Sequence, residues 1–374
     1  MEKQTQQNSQ RLTSLDALRG FDMLWITGGQ KIIFALATVT GLPSLQWLNA
    51  QMHHVEWNGF AFYDMIFPLF LFLSGVSMPF SFSKRMEKGD TKNKIYLHTL
   101  KRMLLLVLFG MIYNGVFHSS FNEMRFASVL GRIGVAWFFA AIIYLNTSLR
   151  GQIIWFTSIL IGYCLVMLLV PVPGFGAGIL TPEGNLSGYI DRLILPGRLF
   201  IENTMEAEGL LSTLPAISTA LLGVFTGRFL MIDDKKIDRI KKSVVLIASG
   251  MIILIAGLAW SIFFPINKML WTSSFVLFVG GLSLMLFGIF YFIIDALDYK
   301  KWSFFFVVIG LNSITIYLVQ YKIIDFNKVR DFMFGTFINI MPESVRPILS
   351  QSIYVFLVWI FLYFLYKNKI FLKV

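Results

Sequence analysis

Stretches of about twenty mostly apolar residues recur along this chain, and that repetition restricts its fold more than any motif does. Coiled into a helix, such a stretch matches the hydrocarbon thickness of a bilayer. Lipid offers no partner to a free backbone amide, so each span must close its own hydrogen bonds as a helix. Ten candidates run at about 15–40, 60–82, 97–117, 127–145, 153–170, 211–231, 244–264, 271–294, 302–324 and 352–366. Composition agrees: 56% of residues are hydrophobic and 14% charged, against about 45–50% and about 25% in soluble domains. The expected fold class is all-α, a polytopic membrane helix bundle. A polar segment at 1–14 precedes a single domain at 15–374. The opening MEKQTQQNSQ has no basic-then-apolar signal pattern, so the first span is expected to act as an uncleaved anchor.

A net charge of +11 invites a nucleic-acid reading in a soluble protein. Here the basic residues fall in short connections on alternate sides of the spans, the pattern of cytoplasmic loops. One side carries Lys3 and Arg11, the run from Lys84 to Arg102, Arg150, Lys235 to Lys242, Lys300 and Lys301, and Lys367, Lys369 and Lys373. Both termini are therefore expected in the cytoplasm, and nucleic acid is not an expected partner. The opposite side receives the short loop at 53–59 and the long connection at 171–210. That connection is rich in Gly and Pro and acidic through Glu183, Asp191, Glu202, Glu206 and Glu208. A cover over an outer cavity and a plain surface loop both fit it. Cys164, the single cysteine, lies in an apolar run and reads as a small buried hydrophobe.

The stretch MHHVEWNGFAFYDMIFPLFLFLSG, residues 52–75, brings a histidine, an amide and a carboxylate to the mouth of a span. An ionisable residue at membrane depth costs about 2.5–3.5 kcal/mol and marks function by default. His54 has the chemistry of a general base or nucleophile, Asp64 that of a group fixing its tautomer, and Asn58 that of a hydrogen-bond donor to a developing oxyanion. Vicinal histidines seldom reach one ion, and no further His or Cys cluster exists, so no metal is expected. His98 and His118 read more simply as interfacial residues. Asp16 and Arg19, three apart, suit an ion pair that sets helix depth. Arg132 lies within an apolar stretch and needs an anionic partner, from the protein or from a ligand phosphate. Asn312 and Ser313, inside the ninth span, fit either a cavity wall or helix-to-helix hydrogen bonds. Gly28-Gly29 and Gly280-Gly281 suit close helix approach. No phosphate-cradling glycine loop is present, and no inverted pair of broken spans is apparent.

Taken together, RLTSLDALRGFDMLWITGG, HHVEWNGFAFYDMIFPLFLFLSGVS, VLGRIGVAWF, EGLLSTLPAISTALLGVFTG, FPINKMLW, GLNSITIYL and YFLYKNKIFLKV resemble, in order, the heparan-α-glucosaminide N-acetyltransferase family of transmembrane acyltransferases and its bacterial members. The likeness runs from Arg11 to Val374. Lysosomal members carry a further N-terminal lumenal portion, which the likeness does not cover. The resemblance implies acetyl transfer from cytosolic acetyl-CoA to the amine of a terminal glucosamine of the heparan sulfate type, on the far side of the membrane. It also implies a homodimer and, for this chain, a bacterial inner membrane with the His54 loop facing the periplasm. Its active histidine precedes Trp-Asn-Gly, here His54 before Trp57-Asn58-Gly59. The expected catalytic set is His54, Asp64 and Asn58. Arg19, Arg132, Asn312 and Ser313 are expected at acetyl-CoA, and Trp57, Glu208, Asn267 and Lys268 at the amino-sugar acceptor. Family members commonly read Asp-Pro-Glu-Gly where this chain has Glu206-Ala207-Glu208-Gly209, a change that bears on the acceptor. An O-acetyltransferase of envelope polysaccharide and a secondary transporter of an amino sugar are the alternatives.

Overall fold

The computed structural model describes residues 12–117, 120–202 and 204–372; Lys3, Arg11, His118, Ser119 and Lys373 lie outside the described residues. Its helices are α1 Thr13–Leu24, α2 Gln30–Thr40, α3 Pro43–Gln51, α4 Ile66–Glu87, α5 Lys92–Tyr113, α6 Val129–Asn146, α7 Leu149–Leu169 and α8 Leu186–Ile194. There follow α9 Thr213–Leu230, α10 Arg239–Trp260, α11 Ser273–Tyr291, α12 Phe304–Leu311, α13 Ser313–Lys322, α14 Phe326–Ile340 and α15 Arg346–Lys367. Many start where a side chain accepts from an otherwise orphan amide: Thr91 before α5, Ser128 before α6, Ser148 before α7, Asn185 before α8, Asp238 before α10 and Thr272 before α11. Such caps are worth about 1 kcal/mol each.

Among the described residues nine helical segments are long and apolar enough to cross a bilayer. A tenth, across 301–320, is bent by 58° where α12 meets α13. Nine of the ten expected spans thus each fall on one such segment, and the ninth in order is broken at Asn312. Two other helices change pitch. Between α1 and α2 the chain widens into a π turn over Trp25–Gly29, with Gly28 at φ +120°. Gly28 therefore marks a break rather than only a close approach, and the Tyr354 ring of α15 fills the space beside it. A second π turn, Phe292–Ala296, follows α11 and brings Asp295 to the start of α1, where its carboxylate accepts the Ser14 N–H at 3.1 Å.

Burial sorts the bundle into centre and rim. α4, α9 and α11 are mostly enclosed, whereas α5, α7, α10 and α15 keep most of their apolar surface facing outward, as lipid-facing helices do. Backbone proximity at the centre depends on glycine. A Cβ on Gly75 would lie 2.2 Å from the Ala220 carbonyl oxygen, and one on Gly223 would lie 2.1 Å from that of Phe72. This is small-residue packing, the main route to tight contact where no hydrophobic effect drives helices together.

The connection at 171–210 is folded. α8 lies within it, and isolated bridges pair Val172 with Gly176, Ile201 with Met205 and, across to the α5–α6 loop, Gly197 with Arg125. Leu186 and Met205 pack with Tyr163, Cys164, Phe264 and Leu270 in a separate apolar cluster. Of its acids, Asp191 and Glu206 are buried, so the connection is a cap whose apolar core is shared with α7 and the α10–α11 connection.

Candidate functional site

The loop between α3 and α4 has no regular structure from 54 to 61, and its conformation is set by side chains. Asp64, in the short 3-10 turn that starts the second span, is buried and accepts from the Ala61 N–H at 3.1 Å and, more weakly, the Val55 N–H at 3.4 Å. Its other oxygen stands 2.7 Å from His54 Nδ1. The Asp64 side chain is 1% exposed and that of His54 47%, so a fixed carboxylate holds an accessible ring. With Nδ1–H donating to Asp64, Nε2 is left as the basic nitrogen. Tyr63 supports the ring, with centroids 4.8 Å apart.

The segment between α10 and α11 completes this group. Lys268 Nζ lies 3.3 Å from the same Asp64 oxygen, to which it donates, and within 3.0 Å of His54 Nδ1 and 3.4 Å of Nε2, the ring nitrogen that in this tautomer can accept from it. Burial pushes the Lys268 ammonium down from its ordinary range, and Asp64 pulls it back. Asn267 accepts the Leu270 N–H through Oδ1 at 2.9 Å and donates through Nδ2 to Asn58 Oδ1 at 3.0 Å. The Asn58 amide is thereby oriented, with its Nδ2 left to donate. Gly59, at φ +120°, turns the loop so that its N–H reaches the Ile266 carbonyl at 2.9 Å. Trp57 Nε1 donates to the Leu180 carbonyl at 2.9 Å, tying the loop to the cap. His54, Asn58, Asp64, Asn267 and Lys268 thus meet at one end of the bundle.

Beside them, Arg125 makes charge-assisted hydrogen bonds to both Glu206 and Glu208 and stacks on Phe200 at 4.8 Å. The pairing pushes the Arg125 guanidinium up against the opposing effect of its burial, and burial raises the Glu208 carboxyl. Glu208 is therefore engaged by a cation of this chain. Arg132, from the first turn of α6, bonds Ser212 Oγ and lies over the Trp271 ring at 5.0 Å.

The four residues expected at the donor divide into two groups. Arg19, Asn312 and Ser313 line one cavity of about 230 Å³. Arg132 is not on its walls; it belongs to the cluster next to Glu208 and Asp191. The cavity has a wall residue that sequence reading counted only as a loop charge, Arg102. The signal was present, because Arg102 is the eleventh residue of α5, well inside a span.

Asp191 offers a local test of the cap. It is fully buried, with Oδ1 accepting the Leu210 N–H at 2.8 Å and Oδ2 unpartnered. Burial pushes its carboxyl up to about 6, against the pull of Arg132 and Arg192. The folded protein thus keeps this proton to higher pH than the unfolded chain does. Its contribution is fully present below the unfolded value of 3.8 and is lost as pH rises through about 6. Asp191→Asn, which cannot ionise, should melt above wild type at pH 8 by an amount worth at most about 3 kcal/mol. That advantage should vanish near pH 4. Thermal unfolding at both pH values checks this, and an equal gap at both would remove ionisation as the cause.

Comparison with known proteins adds names to this geometry. Residues 11–122 match a family model described as a domain of unknown function (DUF5009). Heparan-alpha-glucosaminide N-acetyltransferase of Mus musculus is 26% identical over 384 residues, which take in 86% of this chain and 56% of the relative. The Homo sapiens protein of the same name is 26% identical over 429 residues, 97% of this chain and 60% of the relative. The chain spans somewhat over half the length of these curated relatives. The chain is thus distantly similar to two proteins named heparan-alpha-glucosaminide N-acetyltransferase, and its described residues form helices of which nine are long and apolar enough to cross a membrane.

Proposed function

We propose that this protein transfers acetyl from acetyl-CoA, bound from the cytoplasmic side, to the amine of a glucosamine-type sugar at the opposite face of a bacterial inner membrane. The observation that carries the reading is the His54–Asp64 contact of 2.7 Å at an accessible loop. The name of these relatives supports the choice of group transferred and of acceptor. In the reaction, the acceptor amine attacks the thioester carbonyl. A C–N bond forms, the C–S bond breaks, and the amine proton passes to His54 Nε2. The departing thiolate takes up a proton and leaves as the free thiol of CoA. Asp64 holds the tautomer and steadies the imidazolium. Asn58 Nδ2 donates to the oxygen on which charge develops. Lys268 offsets the buried charge of Asp64.

The test is transfer from labelled acetyl-CoA to glucosamine by the purified protein, with the product identified as an amide by its resistance to mild base. Reconstitution with the two substrates on opposite sides of the vesicle reads the sidedness. An alkali-labile product would mean O-acetylation. Binding of an amino sugar with acetyl-CoA left intact would mean transport.

A further inference from the structure

A groove of about 340 Å³ runs between α5 and α6 on the outside of the bundle. Leu97, Leu100, Phe138 and Ile142 form its sides, and Tyr96 and Asn146 close one end. The apolar sides stand open, with Leu97 67% exposed. Asn146 is the last residue of α6 and Phe138 lies eight residues before it, so the groove extends inward for roughly 12 Å at helical rise.

The closed end is basic. Lys92, the first residue of α5, donates to Asn146 Oδ1 at 3.0 Å, and the Tyr96 hydroxyl donates to the same oxygen at 2.7 Å. The Asn146 amide donates in turn to the Ile142 carbonyl at 2.7 Å. These bonds hold the lysine at the groove end, and a neutral amide oxygen leaves its charge unmatched. The acids nearby in sequence are engaged elsewhere: Asp90 pairs with Arg85 and Lys94, and Glu87 accepts from Ser83. Lys101 lies one turn beyond Leu97 and is exposed, although it is the tenth residue of a spanning helix. Helical side chains lean toward the helix N-terminus, and a lysine turns its ammonium toward the interface. Lys101 is thereby directed toward the basic end, along the outer edge of the groove. Among the described residues, neither Lys92 nor Lys101 has a carboxylate partner.

An apolar trough that ends in unmatched cations is complementary to an amphiphile with a negative head. The same end of the bundle carries basic connections, with Lys84, Arg85, Lys88 and Arg150 among them, which is the pattern of cytoplasmic loops. Basic pockets between spans on that side bind anionic headgroups. A second copy of this chain fits less well, because a two-fold contact centred here sets these lysines against their own counterparts. We infer that the groove binds an anionic phospholipid of the cytoplasmic leaflet. Its phosphate meets Lys92 and Lys101, and one acyl chain lies along Leu97, Leu100, Phe138 and Ile142. This inference goes beyond the acetyl-transfer reading and does not depend on it.

The experiment titrates the purified full chain in detergent with phosphatidylglycerol and, separately, with phosphatidylcholine of the same acyl chains. Bound lipid is counted by native mass spectrometry. Phosphatidylglycerol should bind more tightly, and added salt should narrow the difference. A lysine near an anionic lipid surface is worth about fivefold, so Lys92→Gln/Lys101→Gln should weaken phosphatidylglycerol about 25-fold and phosphatidylcholine little. Lys235→Gln/Lys236→Gln, which removes the same charge from the α9–α10 connection, should leave both affinities as in wild type. Leu97→Trp, a bulkier side chain at an outward-facing position, should weaken both lipids by filling the groove. Equal binding of the two lipids by wild type overturns the proposal, and that comparison needs no variant to fold. Equal losses in the two lysine pairs also overturn it, since they mean a general attraction of the basic face. If Leu97→Trp changes the oligomeric state and not lipid binding, the groove belongs to a second copy and the proposal falls.

Discussion

His54→Gln should lower acetyl transfer by at least about 10³-fold while leaving the protein folded. The imidazole is half exposed and its one ring contact is with Tyr63, so its removal costs chemistry and little stability. General-base catalysis alone is worth about 10²–10⁴-fold. Asp64→Asn should act in the same direction by about 10²-fold or more, because an amide can donate to Nδ1 and draw the proton to Nε2, the wrong nitrogen for a base. A second cost separates the two variants. Asp64→Asn also leaves Lys268, which sits 3.3 Å away, without its counter-charge, so this variant should melt below wild type where His54→Gln does not. Single-turnover acetyl transfer and thermal unfolding on the same preparations check both halves. Activity of His54→Gln within tenfold of wild type would move the reacting group elsewhere.

Gly310→Val should prevent assembly of the bundle. A Cβ at Gly310 would lie 2.0 Å from the Asp16 carbonyl oxygen, and one at Gly20 would lie 1.7 Å from that of Phe306. The obstacle in both cases is backbone, which cannot rotate away as a side chain does. α1 and α12 would have to separate by more than an ångström along the seam, losing contacts on both sides. Ordinary overpacking costs about 1–3 kcal/mol, and this seam has less room to give than most. Gly335→Ala is the control, since nothing lies within 4 Å of a Cβ there and the helix gains about 0.5–1 kcal/mol. Recovery of monodisperse protein after detergent extraction distinguishes them: Gly335→Ala at wild-type yield or better, Gly310→Val close to none. A well-folded Gly310→Val would mean that the seam can open, and with it the wall of the cavity to which Gly310 belongs.

The spans were legible because their signal is local. About twenty apolar residues in a row need no knowledge of neighbours to be read, and nine of the ten expected segments fall on helical stretches long and apolar enough to cross a bilayer, the first of them kinked at Gly28. The break at Asn312 was less legible. An asparagine in an apolar run permits a kink and equally permits an unbroken helix with an interhelical hydrogen bond. The close approach of α1 through Gly20 and Gly310 accompanies the bend, and that approach involves residues far apart in the chain. The meeting of His54, Asn58 and Asp64 was readable from their closeness in sequence. Asn267 and Lys268 carried only the expectation of a place at the acceptor. Their contacts with Asn58 and with Asp64 depend on where the α10–α11 connection lands.

The sequence alone therefore determined a helical membrane bundle and a polar loop with a histidine, an amide and a carboxylate at the mouth of a span. Hydropathy and short-range spacing carry that information, and bilayer physics admits few alternatives. Only the tertiary structure decided which charges share a space. It separated Arg132 from Arg19 and Asn312, matched Arg125 with Glu206 and Glu208, and turned Arg102 from a loop charge into a cavity wall. Charges at depth are sorted by which helix faces meet, and those faces meet where glycines let backbones touch.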